Sequence, residues 1–412
     1  MSLPDRIHIV SGELTAEVMT AERLRFCGQI DFRDQNPSSV VKELLEKALE
    51  QPLGLPPLLS CCVEGDRVVI VADPETPQLP TILNHITRLF LNKTTEPVSL
   101  SIVLPPDPVD SGWQTLVNDV DPVLKDQIQI VIHDPAIEAD RSYLASSAAG
   151  DRIYLNRMIP DADLLILVGP VAFDSALGYR GTTSTIFPAL SDHQSIRTYN
   201  GAGHPELTPD DRRPLRDLVE EIGWLLGTQF CIQVVPDGSN GAIQVLCGAP
   251  EPVFDAAKSL VKQNWQTEFD ESPETVLLSI PGTRGMAWKQ LGEALQIVSE
   301  LIEPGGRIIC VADLDVPTGP AAELLRRSQN PEQLLKPLRR DPVADAVEIS
   351  RLIRALQQAR VFLFSQLDSD LVEELGMQPI QSSTELQKLL AGCEAVTVMR
   401  NANFAWATRR GR

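Results

Sequence analysis

Gly65–Pro77 reads G-D-R-V-V-I-V-A-D-P-E-T-P. Its centre, Val68–Ala72, is an unbroken apolar run that is mostly β-branched, and it stops abruptly at Asp73. A run this short is a strand rather than a helix, and the absence of polar alternation means that both its faces are covered. Thr81–Leu91 follows with apolar residues at helical spacing. The same unit then recurs. Leu100–Leu104 is a strand, Ile128–Ile132 is another ending at His133-Asp134, and Leu164–Val168 (L-L-I-L-V) ends at Gly169-Pro170. Buried strands separated by helices predict a parallel, doubly wound α/β sheet.

Beyond Gly201 the chain adds a helix at Pro214–Leu226, a strand at Phe230–Val235 and a turn at Asp237–Gly241. From Glu274 the theme restarts. Val276–Ile280, Arg307–Ala312, Val361–Ser365 and Ala395–Met399 read as strands. Ala287–Ile302, Ala344–Ala359, Asp368–Leu375 and Thr384–Leu390 read as helices. Two doubly wound α/β domains are therefore expected, residues 1–270 and 271–412, with a hinge at Thr267–Pro273 and a cleft between them.

Composition narrows the function classes. The 412 residues carry a net charge of −20, from 56 acidic and 36 basic side chains. Such a surface repels phosphate backbones and anionic lipid, so neither nucleic acid nor a membrane is an expected partner. The C-terminal Arg409, Arg410 and Arg412 read as a solvated tail. No stretch reaches the ~18 apolar residues of a membrane span, and the N-terminus M-S-L-P-D-R-I-H-I-V lacks a secretion signal. A cytoplasmic location is expected, in keeping with seven cysteines and no C-x-x-C pair. The five histidines are too scattered for an evident metal triad, so no metal ligands are assigned.

In open α/β sheets ligands gather beyond the carboxyl ends of strands, where Asp73, His133, Asp134, Gly169, Asp313 and Asp315 lie. Asp73 supports two readings: a carboxylate that binds a ribose or orients a catalytic partner, or the cap of the helix that follows. His133 is a base or ligand, or a histidine hydrogen-bonded within the turn His133-Asp134-Pro135. Gly178–Ser184 (G-Y-R-G-T-T-S) is a glycine- and threonine-rich loop that either presents N–H groups to an anion or simply turns tightly. Arg180 within it either supplies a cation or points to solvent. No H-E-x-x-H, Walker or G-x-S-x-G motif is present.

Three segments together resemble the nickel-pincer lactate racemase family. Gly65–Pro77 is similar to that family's strand ending in D-x-T-R-P. Ile132–Gly201 holds H-D-P, Y-L-N-R at Tyr154–Arg157, A-D-L-L-I-L-V-G-P, and G-Y-R-G-T-T-S-T-I-F-P-A-L, where the family reads approximately G-Y-S-G-G-x-K-x-I-x-P-G. Arg284–Ala312 is similar to the family's helix followed by P-G-G-x-I-I-x-V-A. The likeness runs from about Leu45 to Val398.

The resemblance implies a two-domain racemase or epimerase of 2-hydroxyacids. Its cofactor would be a nickel-pincer nucleotide, with two histidines moving the hydroxyl proton and cations gripping the carboxylate of a small anionic substrate. It places the cofactor at Thr76, Tyr179, Arg180, Gly181 and Ser184, and catalytic positions at Asp73, His133, Asp174 and Gln290. Asp73, Tyr179, Gly181 and Gln290 match the family's pattern. Elsewhere the chain departs from it. Ser184 stands for the tethering lysine, Asn200 for the nickel-binding histidine, Asp174 for one catalytic histidine, Thr76 for an arginine and Glu293 for a lysine. The other catalytic histidine has no counterpart in Leu104–Asp110. Six such changes argue against lysine-tethered racemisation and leave a catalytically silent, ligand- or partner-binding relative as the alternative. A different reaction through Asp73, Asp107 and Asp174 has no spacing behind it.

Overall fold

Residues 6–19, 24–27, 36–93, 99–107, 113, 117–199, 201, 203–204, 206–227, 229–237, 240–283, 285–341 and 343–410 are described in a computed structural model. Asn200, Gly238, Ser239, Arg284, Arg412 and the tip of the Leu104–Asp110 loop lie outside the described residues.

The chain opens with strands β1 (Arg6–Ser11), β2 (Leu14–Met19) and β3 (Leu24–Phe26), then helix α1 (Pro37–Glu50). The predicted parallel strands follow as β4 (Arg67–Ala72), β5 (Ser99–Leu104) and β6 (Gln129–Ile132), with α2 (Leu79–Lys93) between the first two. A small antiparallel pair, β7 (Arg141–Ser146) and β8 (Arg152–Asn156), precedes β9 (Leu164–Pro170). The hairpin β10 (Ala172–Asp174) and β11 (Gly178–Arg180), helix α3 (Pro214–Leu226), β12 (Gln229–Pro236), β13 (Ala242–Gly248) and α4 (Pro250–Trp265) complete this half. The sheet order is β13-β12-β9-β4-β5-β6, parallel except for the edge strand β13. β9 is buried along its whole length, as its seamless apolar sequence requires. Side chains of β4 and β9, including Val69, Val71, Leu165 and Leu167, form one core with Ile186, Phe187, Val219 and Ile222.

The second half contains β14 (Gln266–Phe269), β15 (Thr275–Ser279), α5 (Ala287–Leu301), β16 (Arg307–Val311), α6 (Ala346–Gln358) and β17 (Arg360–Phe364). It ends with β18 (Gln378–Ile380), β19 (Val396–Met399) and β20 (Trp406–Arg409). Its sheet runs β18-β17-β16-β15-β19-β3, every pairing parallel.

The chain divides into residues 32–263, here the first unit, and residues 1–31 with 264–412, the second unit. This differs from the contiguous 1–270 and 271–412 division at two places. The N-terminal segment belongs to the second unit because β3 pairs with β19, and because Ile7, Ile9, Ala16 and Val18 of the β1–β2 hairpin pack on Leu277, Ile309 and Val311. The expected hinge at Thr267–Pro273 begins inside a strand, for β14 pairs in parallel with β20. Arg409 lies in that strand, and Arg410 binds Asp270 at 2.8 Å, so this stretch is ordered sheet edge rather than tail. Among the described residues no helix is long and apolar enough to cross a membrane.

Candidate functional site

The end of β4 folds back on itself. Asp73 N donates to Val168 O of β9 at 2.9 Å, and Asp73 Oδ1 accepts from Glu75 N at 2.9 Å. The Asp73 carbonyl accepts from Thr76 N at 3.0 Å and from Thr76 Oγ1 at 2.6 Å. Asp73 therefore closes the turn that leads into α2, as an Asx carboxylate does. The Thr76 hydroxyl is buried and engaged in the same turn.

The β10–β11 hairpin aligns Ala172 with Arg180, Phe173 with Tyr179 and Asp174 with Gly178. Asp174 Oδ1 accepts from both Ala176 N and Leu177 N at 2.8 Å, so this carboxylate is the hairpin's own cap. Gly178 has φ +76°, and a Cβ there would lie 2.2 Å from Pro209 O, which is why this turn takes glycine. Tyr179 packs on Phe173 with ring centroids 5.2 Å apart and donates its hydroxyl to Asp210 at 3.4 Å. Burial, and then the Asp210 carboxylate, raise the Tyr179 pKa far above that of a free phenol, so it stays a neutral donor. Arg213, also buried, holds the Leu207–Asp211 segment by donating to the carbonyls of Leu207, Thr208 and Asp211 at 2.8–3.2 Å. It also reaches Ser175 O of the hairpin turn at 3.2 Å.

Arg180 does not reach solvent. Its Nη1 lies 2.9 Å from Glu75 Oε2, with side chains 9% and 1% exposed. This buried ion pair joins the end of β11 to the turn after β4. Beyond it the chain twists through Gly181 at φ +136° and Thr182 at φ +51°. Thr182 N donates to the buried Gln233 Oε1 of β12 at 2.8 Å. Ser184 Oγ accepts from Gly181 N at 2.7 Å and donates to Gly181 O at 3.0 Å, closing the single 3₁₀ turn Thr182–Thr185. The Arg216 guanidinium lies 4.0 Å over the Phe254 ring and donates to Gly181 O at 3.5 Å. A Cβ on Gly169 would meet Thr185 Oγ1 at 2.9 Å and Asp73 Cβ at 3.7 Å, so the β4 and β9 ends and the loop converge there.

Three other expected positions have hydrogen-bond partners of their own. His133 is buried at the end of β6. Its Nε2 is 2.7 Å from Ser191 O, and its Nδ1 accepts from Asn156 Nδ2 at 3.2 Å. Both ring nitrogens are engaged inside the fold, and burial lowers the pKa below the ordinary histidine value. The turn reading needs correction, because these partners come from β8 and the Pro188–Asp192 segment, while Asp134 closes the local turn through Ala136 N at 2.8 Å. Gln290 belongs to the second unit, where its amide accepts from Thr283 N at 3.1 Å and donates to Thr283 Oγ1 at 3.0 Å. Asp107 accepts from Trp113 N at 3.0 Å. Among the described residues no group of three or more His, Cys, Asp or Glu is placed to hold a metal ion.

Residues 117–206 match the lactate racemase N-terminal domain family. Among solved structures, the lactate racemase apoprotein of Thermoanaerobacterium thermosaccharolyticum superposes with a TM-score of 0.72, covering 98% of this chain and 99% of that one at 18% identity. The chain has the lactate racemase fold. A Thermotoga maritima protein matches at TM-score 0.65 and 12% identity, over 92% of this chain and all of that one. No curated protein matches the sequence.

Within the lactate racemase fold, the group to test against these residues is the lysine-tethered nickel pincer. It does not fit. Position 184 offers a hydroxyl that is engaged by its own loop, and Arg180 at that loop's entrance is neutralised by Glu75. Sequence reasoning singled out Arg180 and passed over Glu75. The missed signal was joint: against the patterns the resemblance supplies, Glu75 stands for the threonine of D-x-T-R-P and Arg180 for the serine of G-Y-S-G-G.

Proposed function

We propose that this protein is a divergent relative of the lactate racemases that carries no lysine-tethered nickel pincer and does not invert 2-hydroxyacids. Its role is the binding of a small anion or a protein partner rather than isomerisation. The observation that carries this reading is the state of Ser184. Where the resemblance puts the tethering amine, a hydroxyl both accepts from Gly181 N and donates to Gly181 O. A hydroxyl so engaged forms neither the covalent link of an amine nor an open ligand position. The changes at Thr76, Asp174 and Glu293 point the same way, for each removes a cation or an imidazole from the implied reaction.

The test is nickel and cofactor content after co-expression with the pincer-building enzymes, beside an authentic lactate racemase. The expected result is a loaded control and a chain with background nickel and no cofactor absorbance. Stoichiometric nickel together with inversion of any 2-hydroxyacid would overturn the reading.

A further inference from the structure

The Glu75–Arg180 pair is unlike the other ion pairs among the described residues of the first unit. The others have at least one partner substantially exposed; here both side chains are shut away at 9% and 1% exposure. Neither residue is free to drift. Arg180 is fixed in register opposite Ala172, and Glu75 is held by its backbone N–H on Asp73 Oδ1. The carboxylate meets the guanidinium beside the convergence of the β4 and β9 ends with a glycine-threonine loop, the position where open α/β sheets receive ligands. The Glu75 side chain beyond Cβ is chemically an acetate.

We propose that Glu75 is a resident counter-anion, whose carboxylate occupies against Arg180 the place a small monocarboxylate would take. The first unit thus holds a carboxylate site closed from within. Truncation to alanine removes an acetate-sized fragment beside the Arg180 guanidinium and leaves room for the free acid in its place. A buried cation of this kind binds a carboxylate far more strongly than a solvated one, because water no longer competes for its N–H groups. The inference rests on the reading that this loop no longer serves a pincer. Nickel loading of the wild-type chain tests that reading alone, so the two fail separately.

The experiment compares the wild-type chain, Glu75→Ala and the double variant Glu75→Ala/Arg180→Met by thermal unfolding in sodium acetate and in sodium chloride of equal ionic strength. Acetate is expected to raise the Tm of Glu75→Ala by roughly 3–6 °C at ten times its Kd. It should leave the wild type and the double variant as chloride leaves them, and citrate, too large for the vacancy, should have no such effect. Equal responses in all three proteins would overturn the proposal. Should Glu75→Ala fail to fold in chloride, refolding in acetate alone would support it, and failure in both salts would overturn it.

Discussion

Each unit brings an acid and a base together, but in different surroundings. In the first unit an acid and a base form one buried pair, Glu75 with Arg180 at 2.9 Å. In the second unit Glu293 of α5 stands where the resemblance puts a lysine, and Lys289, one turn earlier, meets it at 3.2 Å with side chains 16% and 36% exposed. Half-buried Glu348 of α6 lies near the same charges, its carboxyl held above the usual range first by burial. A charge exchanged where water still reaches is absorbed by neighbours at small energy. A charge exchanged in the interior is tolerated only with its partner, because desolvating either one alone is far more unfavourable.

That difference has measurable consequences. Glu75→Ala should destabilise the chain by about 3–5 kcal/mol, while restoring hydroxyls at both positions, Glu75→Thr/Arg180→Ser, should return it to within ~1 kcal/mol of wild type. Glu293→Ala should change stability by no more than about 1 kcal/mol. Denaturant unfolding checks all three, and a Glu293→Ala loss as large as that of Glu75→Ala would erase the contrast.

Arg213 extends the comparison to a buried cation whose partners are carbonyls. Arg213→Leu should lose about 2–4 kcal/mol and expose the 207–211 segment to amide hydrogen exchange. Unchanged protection of that segment would mean the carbonyls find other donors.

The smallest expected effect is a pH slope. His133 has a folded pKa below its unfolded one, so the unfolded chain takes up the proton first as pH falls. Its contribution is complete above about pH 6.5 and declines as pH drops below that value. His133→Gln should flatten the change in denaturant midpoint between pH 7.5 and 5. An identical slope in both proteins would place the titration elsewhere.

Much of the fold was legible. The expected strands at Val68–Ala72, Leu100–Leu104, Ile128–Ile132 and Leu164–Val168 lie within a residue or two of β4, β5, β6 and β9. Strands buried on both faces have to be written as unbroken apolar runs, so they announce themselves. The β1–β2 hairpin had a readable signal too, polar and apolar residues alternating over Arg6–Ile9 before the Gly12-Glu13 turn. β3 had almost none: Leu24–Phe26 is three residues long and its partner β19 lies some 370 residues away in the chain.

At the candidate site, residue types were visible and their partners were not. Asp73 and Asp174 sit where the sequence put them, yet each carboxylate is turned to its own turn's N–H groups. By itself the sequence determined the two sheets, the points at which their strands end, and a serine at position 184. Only the tertiary structure decided that the N-terminus joins the second sheet and that His133 closes on Asn156 and Ser191. It alone decided that Arg180 is met by Glu75 rather than by solvent. The reason is one of range. Burial on both faces is a local constraint carried by consecutive residues, whereas an ion pair or a strand pairing joins positions whose proximity exists only after the core has formed.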